Sequence, residues 1–410
     1  MPHQGADEVR ESLEELAALC QSAGGQIVAS VIQAREKFRA GYLFGEGKLH
    51  ELKSICQTSN AQLVIYDGEF SPSQQEKLEE FLDTAVIDRP ALILDIFARH
   101  ARSREARTQV ELAQLEYLLP RLTGHWRHLE RQEAAIGTRG PGETQLETDR
   151  RLVGRKIAEL KKSLKKIDSD RNTQRKRRSD KVCICLVGYT NAGKSLLFNR
   201  LTDENNLVAD RLFATLDSTT RRVILTGGHE LLLTDTVGFI RKLPVDLIAS
   251  FRSTLKEATA ADLLLHVVDF AASDCENKIG IVNKVLNDIG AEAIDQIVVF
   301  NKVDLVNNPD QQRNIMSKYP GCRFVSALTG EGLEGLKQML ETACSRLTAK
   351  LTARVAQNDS RAITTISKTM KVISSYLENE ELVFVGEIFK INIPKLIREG
   401  VKVDIIESIA

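Results

Sequence analysis

The run Gly188-Tyr189-Thr190-Asn191-Ala192-Gly193-Lys194-Ser195 constrains this chain more than any other segment, because few folds admit GxxxxGKS between an apolar strand and a helix. Val182, Ile184, Leu186 and Val187 read as the strand. Leu196, Leu197, Phe198 and Asn199 open the helix that leaves the loop. Gly188 and Gly193 let the backbone turn tightly, so that the N–H groups of the loop, Ala192 included, face inward. The positive end of the helix stands behind them, and the whole forms an anion nest. In such a nest Lys194 reaches the β- and γ-phosphates of a nucleotide, and the Ser195 hydroxyl ligates the Mg²⁺ that bridges them.

Two later strands narrow the reading. His229 to Thr234 is strand-like and delivers Asp235-Thr236-Val237-Gly238. Asp235 is suited to hold the metal through water, and the Gly238 N–H is suited to sense the γ-phosphate, since no side chain obstructs that approach. Gln296 to Phe300 is apolar and delivers Asn301-Lys302-Val303-Asp304 to the carboxyl edge of a sheet, where open α/β folds bind ligands. There Asp304 accepts from the N1–H and exocyclic amine of guanine. Adenine cannot supply that pair, and an unmatched buried acceptor costs about 1–3 kcal/mol. An ATP-dependent RNA-remodelling protein therefore conflicts with Asp304. Phe324 to Leu328 reads as a short strand ending in a loop, with Ser326 and Ala327 placed for backbone contact with the base. Leu263 to Val268 adds a strand, and residues 279–289 and 332–347 carry helical patterns. A doubly wound α/β P-loop sheet is expected from about Lys181 to Leu347.

A chain of 410 residues exceeds one typical domain. The expected division is an N-terminal α/β domain over 1–90, a basic helical hairpin over 91–180, a nucleotide domain over 181–348 and a small C-terminal α/β domain over 349–410. Lys plus Arg total 56 and Asp plus Glu total 56, yet the balance conceals a local excess. Lys161, Lys162, Lys165, Lys166, Arg175, Lys176, Arg177 and Arg178 crowd the stretch before the phosphate loop. Such a field attracts phosphate backbones in a salt-dependent way, RNA above all; a basic helix balanced by acidic surfaces elsewhere is the alternative.

Apolar residues in that stretch recur at Val153, Ile157, Leu160, Leu164 and Ile167, and an earlier series runs through Leu112, Leu115, Leu119, Leu122, Trp126 and Leu129. Spacings of three and four predict two helices whose seams cover each other, with Pro120 kinking or breaking the first. The turn-forming run from Ile136 to Glu143 joins them and carries Arg139, either an RNA contact or part of a plain turn. No aromatic ladder accompanies the basic run, so single-strand stacking is not indicated.

In the flanking regions, Gln62–Tyr66 and Ala85–Ile87 read as strands around a helix from Ser73 to Asp83. Ala91–Phe97 reads as the start of a long helix or as a strand leading into it. Near the C-terminus, a helix is expected from Ile363 to Leu377 and strands at Leu382–Val385, Phe389–Ile393 and Val401–Ile405. The seven scattered cysteines suit a reducing compartment, with Cys183 and Cys185 as core thiols. With no signal segment or long apolar span in the sequence, a cytoplasmic protein is expected.

The chain resembles the ribosome-associated HflX GTPases, of the Obg-related branch of the TRAFAC group. The resemblance rests on Ser71-Pro72-Ser73-Gln74-Gln75, Ile87-Asp88-Arg89, Leu92 to Ala98, Gly137-Thr138-Arg139-Gly140-Pro141-Gly142-Glu143-Thr144-Gln145-Leu146-Glu147, Phe213-Ala214-Thr215-Leu216-Asp217 and the nucleotide motifs. It is loose beyond Ala349. It implies a GTPase that binds the large ribosomal subunit through ribosomal RNA and promotes dissociation of stalled 70S-type ribosomes, working as a monomer, in part bound to the ribosome. It also implies that Thr215 joins Lys194 and Gly238 in catalysis by entering the Mg²⁺ shell, and that Asn191 helps place a K⁺. A ribosome-assembly GTPase, or a nucleotide-gated RNA-binding adaptor with incidental hydrolysis, would carry the same motifs. The chain departs from the family pattern at Glu133-Ala134-Ala135, where glycines are frequent, at Ser218 in place of proline and at Leu196 in place of a hydroxyl residue. Phe239 follows Gly238 where some GTPases carry a water-orienting glutamine; a phenyl ring cannot polarise water, so unassisted hydrolysis should be slow.

Overall fold

The computed structural model describes residues 5–34, 43–123, 141–178, 181–203, 213, 216–225, 230–242 and 257–407, with main chain alone at 6, 141–146, 172 and 174–178. Expectations for Arg139, Thr215 and Glu133–Ala135 fall outside these residues, as do those for the side chains of Arg175, Lys176, Arg177 and Arg178. The chain forms two compact units. The first comprises Met1–Asp168, Ala209–Asp217 and Val237–Thr254; the second comprises Ser169–Val208, Ser218–Thr236 and Leu255–Ala410.

In the first unit the elements are α1 (Ala6–Ser22), α2 (Glu46–Ser59), β1 (Leu63–Tyr66), α3 (Pro72–Leu82), β2 (Ala85–Asp88), α4 (Arg89–His100), α5 (Arg104–Leu118) and α6 (Pro141–Arg178), the last as far as Asp168. Strands β1 and β2 pair in parallel, from Leu63 opposite Ala85 to Tyr66 opposite Asp88. A capping box of Ser71 and Gln74, with Pro72 in the first turn, starts α3. Leu49, Phe70, Leu78, Leu82 and Val86 bury together as its core. The segment after β2 is helical from Arg89, because the Asp88 carboxylate caps the Ala91 N–H at 3.0 Å and Pro90 fits the first turn. That helix stops at His100, and Ser103 caps a separate one, so the long helix read from Ala91 is in fact two.

Helices α5 and α6 bury Leu112 against Ile157 and Leu160, with Leu115, Leu119, Val153 and Leu164 around them. Pro120 comes two residues after Leu118, where α5 ends, and a single 3₁₀ turn, Arg121–Thr123, takes the chain on. Lys161 lies 2.8 Å from Glu116 and Lys156 3.7 Å from Glu111 along this pair of helices.

The second unit holds β3 (Val182–Gly188), α7 (Lys194–Leu201), β4 (Thr219–Ile224), β5 (Glu230–Asp235), β6 (Leu263–Asp269), α8 (Cys275–Asp288), β7 (Gln296–Asn301), α9 (Pro309–Lys318), β8 (Arg323–Phe324) and α10 (Leu333–Arg346). Its six strands lie in the order β4-β5-β3-β6-β7-β8. Only β4 is antiparallel to its neighbour. Alternate residues face opposite sides: Val267 and Val299 pack with Leu197 and Leu336 of α7 and α10, while Val268 and Phe300 pack with Ile279 and Ile315 of α8 and α9. This is the doubly wound P-loop sheet that the alternation of strands and helices predicts. Strand β8 is shorter than the sequence suggests, ending at Phe324.

The same unit continues as β9 (Thr348–Ala356), α11 (Ser360–Thr369), β10 (Met370–Glu378), β11 (Glu381–Phe389), α12 (Ile393–Arg398) and β12 (Lys402–Glu407), an antiparallel sheet in the order β10-β11-β9-β12. Two expectations fail here. The helix read through Leu377 ends at Thr369, and Met370–Glu378 is a strand, folded back on β11 by a tight turn with Asn379 and Glu380 in the left-handed region. The strand read at Phe389–Ile393 is instead a 3₁₀ turn followed by a helix that takes Pro394 into its first turn, where the missing N–H does no harm. Gly386 lies within β11, where a Cβ would meet the Lys371 carbonyl oxygen at 2.2 Å.

Candidate nucleotide site

The phosphate loop begins where β3, the third strand from the antiparallel edge, runs out at Gly188, and it closes onto α7. Two glycines are dictated sterically. A Cβ at Gly188 would lie 2.2 Å from the Val267 carbonyl oxygen, and one at Gly193, where φ is +88°, would lie 2.2 Å from Asn301 Nδ2. Asn191 is exposed at the tip of the loop with φ +59°. Lys194 is 7% exposed, and its ammonium donates to the carbonyls of Gly188 at 3.1 Å and Tyr189 at 2.8 Å. Burial pulls its pKa down to about 8, opposed by the negative charge of Asp235.

Ser195 Oγ donates to Asp235 Oδ2 at 2.6 Å, which joins the start of α7 to the end of β5. A hydroxyl and a carboxylate in contact form a hard-oxygen pair suited to Mg²⁺, so the residues present fit that ion. Beside them Thr236 Oγ1 donates to the Leu186 carbonyl at 2.6 Å and fixes the strand ends together.

The base end is braced to the phosphate end. Buried Asn301 donates from Nδ2 to the Ala192 carbonyl at 2.9 Å and accepts the Ala327 N–H at 2.9 Å, so one amide ties the phosphate loop to the loop after β8. Ser326 and Ala327 are buried, and Ser326 Oγ accepts from the Thr329 N–H at 3.0 Å. Asp304 stands exposed in the 3₁₀ turn Val303–Leu305. Lys302 is held with φ +67°, and its ammonium lies 2.7 Å from Asp269 Oδ2. Sequence reasoning missed Asp269, although its place as the last residue of a buried strand, at the carboxyl edge, was the available signal. It also missed Arg200, whose guanidinium donates to the Ala327 carbonyl at 3.0 Å and the Leu328 carbonyl at 2.7 Å.

Gly238 belongs to the first unit, followed by Phe239, which is 2% exposed. The segments around these positions grip their own unit. Phe213 stacks edge-on against Phe97 with centroids 4.6 Å apart, and Asp217 accepts from the Arg102 N–H at 3.3 Å, the Ser103 N–H at 2.9 Å and the Ser103 hydroxyl. Arg241 pairs with Glu11 at 3.3 Å, and Lys242 with Asp67 at 2.6 Å. Fully buried Arg89 bonds the other Asp67 oxygen at 2.7 Å and Glu15 at 2.8 Å. Burial pushes the Asp67 carboxyl up, but hydrogen bonds from Lys242, Ser12 and Arg89, with the charge of Arg89, bring it below its ordinary value. Of the basic residues singled out on α6, Lys161 is ion-paired, whereas Lys162, Lys165 and Lys166 are exposed and have no ion pair among the described residues.

Three family profiles match: "GTP-binding GTPase N-terminal" over residues 10–98, "GTP-binding GTPase Middle Region" over 100–178 and "50S ribosome-binding GTPase" over 183–302. The chain is 42% identical to the GTPase HflX of Escherichia coli strain K12 over 378 residues, covering 91% of this chain and 88% of that protein. It is 46% identical to the GTPase HflX of Caldanaerobacter subterraneus over 332 residues, 79% of this chain and 78% of that one. Among solved structures, a GTP-binding protein of Sulfolobus solfataricus in complex with GDP matches at 26% identity and a TM-score of 0.43, over 81% of this chain and 95% of that chain. No helix among the described residues is long and apolar enough to cross a membrane. With a braced phosphate loop, an exposed Asp304 and sequence identity of this extent, the chain belongs to the HflX family of GTPases.

Proposed function

We propose that this GTPase binds the large ribosomal subunit and promotes dissociation of stalled ribosomes in a GTP-dependent cycle. The observation that carries this reading is the pairing, in one chain, of a guanine-nucleotide site with the exposed cationic stretch of α6, whose Lys162, Lys165 and Lys166 suit a ribosomal RNA backbone. The relatives' profile description, a 50S ribosome-binding GTPase, points to the same partner.

In the site, Lys194 and the loop N–H groups hold the triphosphate, Ser195 and Asp235 serve its metal, and Asp304 and the Ser326–Ala327 backbone select guanine. Ser195 and Thr215, with Asp235 through water, would hold Mg²⁺, which would supply positive charge to offset the negative charge that develops on the phosphates. Lys194 stabilises the same charge from the loop. Asn191 would help hold a K⁺. Phe239 supplies no polar group to orient water, so turnover depends on what the ribosome or the monovalent ion adds.

The test is to incubate intact ribosomes with the protein and GTP, GDP or a nonhydrolysable GTP analogue, and to resolve free subunits by sedimentation. Free subunits with GTP or the analogue, and none with GDP, are expected. Large subunits should also raise GTP turnover at least roughly tenfold. Binding to incomplete particles without splitting of complete ones would replace this reading with a role in ribosome assembly. Undiminished activity of a GTP-bound, hydrolysis-impaired variant over repeated rounds would make it an adaptor whose hydrolysis is incidental.

A further inference from the structure

The last residue of β6, Asp269, has no part in the cycle described above, yet it is joined to the base-reading loop in three ways. In register it stands opposite Asn301, the residue that braces the phosphate loop. The main chain on its far side is tied to the same residue, since the Phe270 N–H donates to the Asn301 carbonyl at 2.9 Å. Its carboxylate is held on both oxygens: Oδ1 accepts the Ala271 N–H at 3.0 Å, and Oδ2 takes the Lys302 ammonium at 2.7 Å.

Lys302 is therefore fixed at both ends. Its backbone adopts φ +67° between braced Asn301 and the turn that carries Asp304, and its ammonium is tethered. A tethered lysine presents its four methylenes as a narrow apolar strip, whereas a free one samples many rotamers and loses that entropy when a ligand arrives. A purine whose edge meets Asp304 must bring its ring face past the neighbouring residues of the same turn.

We propose that Asp269 is a positioning residue for guanine recognition: it holds Lys302 extended, so that the lysine stem is a ready-made support for the face of the base. This rests on the guanine reading of Asp304. Asp269 then acts on nucleotide affinity and not on the chemical step, because it touches neither the phosphates nor their ligands. GTP and GDP should feel its loss equally, since they share the base.

The test uses the full chain with Asp269→Ala, Asp269→Glu, Lys302→Ala and the Asp269→Ala/Lys302→Ala double variant, reading KM and kcat for GTP and Kd for GDP. Asp269→Ala should raise KM and the GDP Kd together by roughly three- to tenfold, with kcat within about twofold of the parent. Asp269→Glu should recover part of the loss, and the double variant should be no worse than Lys302→Ala alone. A fall in kcat with unchanged KM, or fully additive effects in the double variant, would overturn the proposal. A lowered thermal midpoint in nucleotide-free Asp269→Ala, with additive binding losses, would assign the residue to folding. Failure of the guanine reading shows separately, as an Asp304→Asn variant that prefers guanine over xanthine as strongly as the parent.

Discussion

The nucleotide site of the second unit and the Phe213–Asp217 and Arg241–Lys242 anchors of the first unit are held by different kinds of bond. In the site the braces run mainly to main-chain groups: Asn301 spans Ala192 and Ala327, Lys194 caps two carbonyls, and Arg200 caps two more. The anchors of the first unit depend largely on side chains, through an aromatic pair, the capping Asp217 carboxylate and a charge cluster centred on Arg89 and Asp67. Main-chain braces set a geometry that changes little with salt or pH. Charge clusters respond to both, the exposed pairs more than the buried Arg89.

That contrast is sharpest where a substitution strikes one side alone. Asp304→Asn should have the largest effect, weakening guanine selection by about 10³-fold or more because one of the two acceptors for the N1–H and amine becomes an N–H donor; competition between guanine and xanthine nucleotides measures it. Arg89→Leu should destabilise the first unit by about 3–5 kcal/mol, since it leaves Asp67 and Glu15 without their buried cation. Denaturant unfolding reads that loss, and GDP affinity should be retained; a parallel fall in affinity would break the contrast. Lys194→Ala should slow hydrolysis by about 10²-fold, with the first unit's unfolding unchanged.

Smaller effects come from pH and from the rim. Because the folded pKa of Lys194, about 8, lies below its ordinary 10.5, burying its charge opposes stability fully below pH 8, and that opposition fades as the pH rises toward 10.5. Phosphate binding needs the ammonium, so GTP affinity should decline over the same window, as a pH series of Kd values would record. Lys242→Ala should have the least effect, about 1 kcal/mol, because the lysine is partly solvated and Arg89 still serves Asp67.

Much of the candidate site could be read from the chain because its motifs are short and stand at strand ends, Gly188 to Ser195 at the end of β3 and Asn301 to Asp304 at the end of β7, although their contacts reach far in sequence. Asp269 and Arg200 were not legible, since each is an ordinary charged residue whose partner lies elsewhere in the sequence, and only the fold makes the pairing. Elements fared likewise. Ile363, Ile366, Met370, Ile373 and Leu377 keep a helical spacing well past Thr369, but pairing with β11 along Met370–Glu378 overrides it. Helix α1 went unread; there Ser12, Leu16 and Leu19 bury one face of a stretch rich in Glu and Ala.

Helix α6 carries a mechanical consequence. Its 38 residues span about 57 Å, and it passes from one unit to the other between Asp168 and Ser169 without a break. From Arg155 to Arg178 the sequence holds neither proline nor glycine, the residues at which helices most readily kink. From Arg155 to Arg178 the rod is thus stiff in torsion: a twist applied at one end of that stretch arrives at the other as rotation.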